Sequence, residues 1–308
     1  MQRKKWQANL EEVATRISKY RDNLLQRTKV FRAKAAYVLF SPWRFFKFIC
    51  FCVGFVVILI SLALGIYIHS FLKSLPDLSA MSFEQLRYAA RRSVHHKLEN
   101  KSKPVHWVDI KHINRESLYA IVMSEDGSFF EHGGIDIEAI ANSIALNLKK
   151  KKYESGASTI SQQVVKNVFL TDEKSIIRKV KELILTERLE KAFSKNQILE
   201  VYLNVIELGP DIYGIEDGSI VYFRKMPSRL NAAEGAFLAI LLPSPRKYYF
   251  SIYQNRNISR KKHRKLRRIL SDMLANELIS EQQYRRYAQY KYFSKPAIKT
   301  LVTDEDDE

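Results

Sequence analysis

The sequence predicts a mainly α-helical domain preceded by one transmembrane helix, and three observations carry that expectation. From Ser117 onward, apolar residues recur at three- and four-residue spacing in Leu118–Ser124, Ile137–Lys150, Ser158–Phe169, Ser175–Phe193 and Ala232–Leu242. Strand-like alternation is scarce, and breakers fall between these stretches at Gly133-Gly134, Glu154–Gly156, Gly209-Pro210 and Pro243-Ser244-Pro245. Upstream, Phe48–Leu72 contains no Lys, Arg, Asp or Glu.

That apolar run exceeds the roughly 20 residues that cross a bilayer core, and it is longer than the apolar part of a signal peptide. No small-x-small cleavage site follows it, and a buried core helix of this length would carry polar residues on some face. An uncleaved anchor is expected. Met1–Lys47 holds twelve Lys/Arg against the three acids Glu11, Glu12 and Asp22, which predicts a cytoplasmic N-terminus and an exported C-terminal domain. Trp43, Phe45 and Phe46 stand where an interfacial aromatic belt would lie.

The whole chain has 308 residues, 46% hydrophobic and 27% charged, a composition that excludes disorder as the general state. Of its 51 basic and 33 acidic residues, 39 and 30 remain beyond the tail, so the remainder is still about +9 and favours anionic lipids or phosphates. The two cysteines, Cys50 and Cys52, lie inside the span, which leaves disulfides, thiolate metal sites and cysteine catalysis without a residue elsewhere. The expected organisation is a basic cytoplasmic tail at 1–47, the anchor at 48–72, a linker or membrane-proximal segment at 73–104, a globular domain at 105–295 and an acidic, disordered tail at 296–308.

Two basic stretches have ordinary readings. The run at Lys149–Lys152 is a solvated helix end. The segment with Arg256, Arg260, Lys261, Lys262, Arg264, Lys265, Arg267 and Arg268 also carries Leu266, Leu270, Met273 and Leu274, and reads as a packed helix whose basic outer face meets anionic headgroups. Nucleic acid is not expected as a partner of an exported domain.

Three constellations carry chemistry. Glu125-Asp126-x-x-Phe129-x-x-His132-x-Gly134 follows an apolar helix and puts a carboxylate at a helix-to-loop edge. Gly156-Ala-Ser158-Thr159-Ile-Ser-Gln162-Gln163-Val-Val-Lys166-Asn167 opens with a helix cap, and its spacing places Thr159, Gln162, Gln163 and Lys166 on one face suited to sugar hydroxyls and a phosphate. The third runs Lys174-x-x-x-Arg178-Lys179-x-Lys181-Glu182. In projection, Ile177, Val180 and Ile184 form its main apolar stripe, while Glu182 shares a second, partly apolar face with Arg178, Leu185 and Leu189. An ionisable pair on the second face of a central helix is a cleft candidate, with a structural salt bridge as the competing reading.

Together with Ile198-Leu199-Glu200-x-Tyr202-Leu203-Asn204, Gly209, Tyr213-Gly214-Ile215-Glu216 and Tyr222-Phe223, these motifs resemble the lysozyme-like glycosyltransferase domain that polymerises lipid II in bifunctional penicillin-binding proteins and monofunctional transglycosylases. The likeness spans about Ile121–Tyr248, and NVIELGPDIYGIE with LLPSPRKY is closest to the monofunctional, Gram-negative type; no Lys-Thr-Gly triplet occurs. Departures are Gly218-Ser219 in place of an Ala-Ala pair, Arg224 in place of a glycine, and Lys174 in place of arginine, which keeps charge but loses bidentate phosphate geometry.

The resemblance implies a two-lobed, lysozyme-like fold and an inverting peptidoglycan glycosyltransferase in the inner membrane, single-pass, with its catalytic domain in the periplasm. Lipid II and the nascent glycan strand would be its partners, with membrane lipids and other cell-wall synthesis proteins. Glu125 would be the general base toward the attacking 4-hydroxyl, with Asp126 and His132 orienting the site. Lys166, Lys174, Arg178 and Lys181 would hold the diphosphate, a stable leaving anion that needs cations more than a proton donor. Ser158, Thr159, Gln162, Gln163 and Asn167 complete the substrate-contact set. Glu182 would position the diphosphate through those cations or a divalent metal, magnesium or manganese; no tightly bound cofactor is implied. The alternatives are a glycan hydrolase or lytic enzyme, which needs one carboxyl protonated against a sugar leaving group, and a catalytically silent scaffold of cell-wall assembly. The cations around Glu182 disfavour the protonated acid.

Overall fold

Helical periodicity in the sequence becomes thirteen α-helices among the described residues of the computed structural model, which are 2–39, 42–150, 158–171, 173 and 175–293. They form two units, 1–74 and 75–308.

The first unit holds α1 (Gln2–Leu39) and α2 (Pro42–Lys73). Helix α2 is 32 residues long, is apolar enough to cross a membrane, and has no buried residue. It begins at a proline, whose fixed φ suits a first helical turn. Trp43 and Phe46 stack near its start with ring centroids 5.9 Å apart, and the Lys47 ammonium lies 5.4 Å from the Trp43 ring.

In the second unit the chain orders earlier than the sequence suggested. Ser82 and Gln85 cap α3 (Phe83–Lys97) reciprocally, and Leu86, Ala90 and Val94, one turn apart, bury its inner face. This helix packs on α6 (Ile160–Phe169) and α8 (Lys195–Val205). Residues 75–104 are therefore part of the domain, which corrects the expected linker. The correction has an electrostatic side too. Arg87 donates from Nε (2.9 Å) and Nη2 (2.6 Å) to the buried Glu200 carboxylate, which also accepts from Trp107 Nε1 (3.1 Å) and the Ile110 amide (3.0 Å).

The core sits where α4 (Arg115–Glu125) crosses α10 (Ala232–Leu241), whose ten residues are all buried. Their backbones approach closely because Gly235 has no side chain: a Cβ there would overlap the Ser117 carbonyl oxygen and lie 2.6 Å from the Ser117 Cα. Helix α8, buried from Ile198 to Val205, forms a second centre and packs against α6 and α9 (Gly214–Phe223). Around these lie α5 (Ile137–Lys150), α7 (Ile176–Ala192), α11 (Pro245–Tyr248), α12 (Arg260–Ala275) and α13 (Glu281–Ala288). The one sheet among the described residues is an antiparallel pair, β1 (Glu207–Gly209) with β2 (Ile212–Tyr213).

The two α9 departures are accommodated differently. At Gly218 an added Cβ would run into the end of the Leu208 side chain, and Ser219 is fully buried with its hydroxyl donating to the Glu216 carbonyl at 2.9 Å. Arg224 caps α9 at φ 55°, a left-handed conformation that favours glycine.

Two opposite effects on the apparent melting temperature of the full chain in detergent follow. Gly235→Ala lowers it, because separating α4 from α10 costs about 1–3 kcal/mol. Arg224→Gly raises it modestly, through relief of roughly 1 kcal/mol of backbone strain.

Candidate functional site

The site grows from the end of α4. Asn114 caps its start by accepting from the Glu116 (2.9 Å) and Ser117 (3.3 Å) amides, and the helix breaks at Asp126, whose backbone leaves the helical region. The Asp126 carboxylate turns inward and is buried. It accepts from the Ile160 amide in the first turn of α6 at 2.9 Å and from His132 Nε2 at 2.9 Å. His132 Nδ1 accepts from the Gly134 amide at 3.0 Å, so the hydrogen-bond network assigns the ring proton to Nε2.

Gly134 ties in α7. Its φ is 92°, and a Cβ there would lie 2.7 Å from Glu190 Cγ and 2.8 Å from Thr186 Cγ2. From α6, Thr159 Oγ1 donates to the Gly134 carbonyl at 2.6 Å while accepting from the Gln162 amide at 3.2 Å. The Gln162 side chain accepts from the Thr159 amide at 3.1 Å, which completes a capping box. Thr159 and Gln162, read from spacing as substrate-facing, are thus buried and engaged in holding α6 and the loop together. Their neighbours Gln163 and Lys166 do differ: Gln163 Nε2 donates to Glu125 Oε2 at 3.2 Å, and Lys166 is exposed, as is Ser158. Asn167 binds α6 to α3, its carbonyl accepting from Ser93 Oγ and, at 3.0 Å, from Lys97 Nζ.

Glu125 keeps partial solvent access, yet the surrounding protein desolvates it and raises its pKa. Lys265, the Gln163 hydrogen bond and Lys262 oppose that rise, while Asp126 adds to it. The Tyr202 hydroxyl, fully buried and without a hydrogen-bond partner among the described residues, lies in the field of the same two carboxylates, and burial foremost raises its pKa.

Lys262 and Lys265 are the functional candidates that the sequence reading passed over, having placed them on an outer basic face. Helix α12 packs against both α4 and α10, which carries these cations to Glu125. Lys262 Nζ donates to the Ile240 carbonyl at 2.8 Å and lies 3.7 Å from the Tyr248 ring centroid. Burial, then the Lys265 and Lys261 charges, bring its pKa down to about 8. A signal was present: Lys262 stands one turn before Leu266, in line with the buried stripe Leu266, Ile269, Leu270 and Met273.

Helix α7 reverses the expected assignment of its faces. Ile177 and Val180 are exposed, whereas Glu182, Leu185, Thr186 and Leu189 are buried. The reason is that the Gly134 loop packs on the Glu182 side, one turn away at Thr186 and two at Glu190. Glu182 Oε2 accepts from Arg178 Nη1 at 2.9 Å and Oε1 from Lys179 Nζ at 2.5 Å. Lys181 is half-buried on the same helix. Lys174, Lys151, Lys152, Glu154–Gly156 and the acidic tail lie outside the described residues, and Glu125 and Glu182 share no hydrogen bond among those described.

For a divalent ion, the residues present are a poor fit. Both Glu182 oxygens already hold cations. Asp126, His132 and Asp136 offer ligand atoms within 4.8 Å of one another, but both His132 nitrogens are engaged, and Asp136 accepts from Ser128 Oγ (2.5 Å) and the Ala139 amide (2.7 Å). This cluster reads as a hydrogen-bonded clamp.

Residues 91–274 match the transglycosylase family model. The chain is 42% identical over 168 residues to a biosynthetic peptidoglycan transglycosylase of Acinetobacter baylyi, covering 54% of this chain and 73% of the relative. It is 40% identical over 170 residues to the corresponding protein of Aromatoleum aromaticum, covering 55% and 73%. One of Nitrosomonas eutropha is 39% identical over 173 residues, covering 56% and 69%. With the family model covering more than half of its length and the motif-bearing loops assembled around Glu125, the chain belongs to the transglycosylase family.

Proposed function

We propose that the chain is a membrane-anchored, monofunctional peptidoglycan glycosyltransferase, which polymerises lipid II into β-1,4-linked glycan and releases undecaprenyl diphosphate. The observation that carries the reading is Glu125: a partly accessible carboxylate at a helix end, held by Gln163, with two lysines of α12 bearing on it. A sugar hydroxyl is a weak nucleophile at neutral pH, and a carboxylate with a raised pKa is a better base toward it than an unperturbed one. Glu125 takes the proton of the acceptor 4-hydroxyl as its oxygen attacks the donor anomeric carbon. The bond to the diphosphate breaks on the opposite face, and the α-linked donor becomes a β product.

The leaving diphosphate needs positive charge. Lys166 and Arg178 offer it, joined by Lys181 and Lys174. Glu182 is a positioning residue, pinning Arg178 and Lys179 through its two oxygens. Asp126 and His132 hold the Glu125 loop against α6 and act as positioning residues.

A lipid-linked substrate suits this chain. The chain carries the apolar helix α2, and within the second unit Ile137, Ile144 and Leu148 on α5 and Ile176 and Ile177 on α7 are exposed. The charge of the N-terminal segment supports a cytoplasmic N-terminus and a periplasmic catalytic domain in the inner membrane.

A glycan hydrolase is favoured by one observation, the raised pKa of Glu125, since such an enzyme needs a protonated acid. The cationic side of α7 speaks for a diphosphate instead.

Incubated with labelled lipid II in detergent, with and without divalent metal, the full chain is expected to give a glycan ladder on a gel. Glu125→Gln lowers the rate by about 10²–10⁴-fold. Cleavage of preformed glycan with lipid II untouched would establish the hydrolase, and turnover of neither substrate would leave a scaffold. The acidic limb of the kcat/KM–pH profile reports Glu125 ionisation. Removing the charges that favour its carboxylate, in Lys262→Met or Lys265→Met, moves that limb to higher pH.

A further inference from the structure

Helix α1 has no part in the chemistry above, yet its side chains are arranged in a definite order. Val13, Ile17, Tyr20, Leu24 and Phe31 follow steps of four, three, four and seven, and at 3.6 residues per turn they fall within about 30° of one line. All five are exposed, from 52% at Val13 and Leu24 to 75% at Phe31. The stripe runs about 27 Å along the helix. A 38-residue helix with such a face exposed has an unfilled contact surface.

The flanking charges say what fills it. Arg16, Arg27 and Lys34 line one edge of the stripe, Arg21 and Arg32 the other, and Asp22 lies on the opposite side. Basic residues bordering an apolar stripe on both edges match a phospholipid surface, where the stripe enters the acyl boundary and the long side chains reach anionic headgroups. A second copy of α1 fits less well. The same spacing is a heptad seam, but a parallel pair would set Arg16 of one copy against Arg21 of the other and bury Arg27 in the seam. The apolar helix α2 begins three residues after α1 ends, which keeps α1 within reach of a bilayer surface.

We infer that α1 is an interfacial helix that lies on the surface of a membrane rich in anionic phospholipid, by the stripe from Val13 to Phe31 and its two basic borders. Leu25, Val30 and Tyr37 fall outside the stripe and are not part of the contact. The inference is independent of the reaction assigned to the catalytic domain.

The test is hydrogen–deuterium exchange on the full-length protein in nanodiscs, one copy per disc, made from phosphatidylcholine alone or from phosphatidylcholine with phosphatidylglycerol. Amides of residues 13–34 are expected to exchange roughly tenfold more slowly in the anionic discs, with the protection lost in high salt. Arg16→Glu/Arg27→Glu abolishes the protection while turnover in detergent stays at the wild-type level, which separates loss of contact from loss of fold. Equal exchange in both lipids overturns the inference, as does protection that requires two copies per disc, the mark of a coiled coil.

Discussion

The candidate site depends on one buried carboxylate. Asp126 accepts from the first-turn amide of α6 and from His132, and His132 in turn accepts from the Gly134 amide. The end of α4 and the loop that follows it, which Gly134 lays against α7, are thereby joined to the start of α6, 34 residues from Asp126. A buried carboxylate without such donors would be strongly disfavoured, so burial makes the connection close to obligatory. Glu125 precedes Asp126 directly, and its position is set by its neighbour's bonds.

The electrostatics of Glu125 follow from packing on the other side. Helix α12 packs against both α4 and α10, which cross closely at Gly235, and it brings Lys262 and Lys265 into the carboxylate's field. Desolvation raises the Glu125 pKa and the lysines restrain the rise, while burial lowers the pKa of Lys262 to about 8. Each group is shifted toward neutrality by burial and held back by the other's charge. Two groups shifted in opposite senses, each in the other's field, suit a site that moves protons.

Unlike the catalytic unit, the N-terminal unit is organised by its exposed surfaces. Helix α2 has no buried residue, and α1 exposes an apolar stripe between basic borders. Neither pattern suits water alone. Both have the form of contacts with a bilayer, one across its core and one along its surface.

What the sequence determined by itself was local. The apolar span, the helical periodicity, the Ser and Thr caps and the Arg178–Glu182 pair all depend on residues within about four positions of one another, where helix geometry alone decides the neighbours. Function was legible through motif order, which places Glu125, Gln163 and Glu182 in a recognisable sequence of segments. Only tertiary structure decided which helix faces were used. Thr159 and Gln162 share the polar face of Gln163 but close a cap: the Gln162 side chain accepts from the Thr159 amide, and the Thr159 hydroxyl donates to the Gly134 carbonyl. The Ile177–Val180 stripe is exposed because that same loop covers the Glu182 side of α7. Lys262 and Lys265 reach Glu125 across more than a hundred residues of chain, through the α4–α10–α12 packing. A helical projection gives the angles between side chains on one helix and nothing about which neighbour each will meet. That choice is made when loops close and buried polar groups find partners.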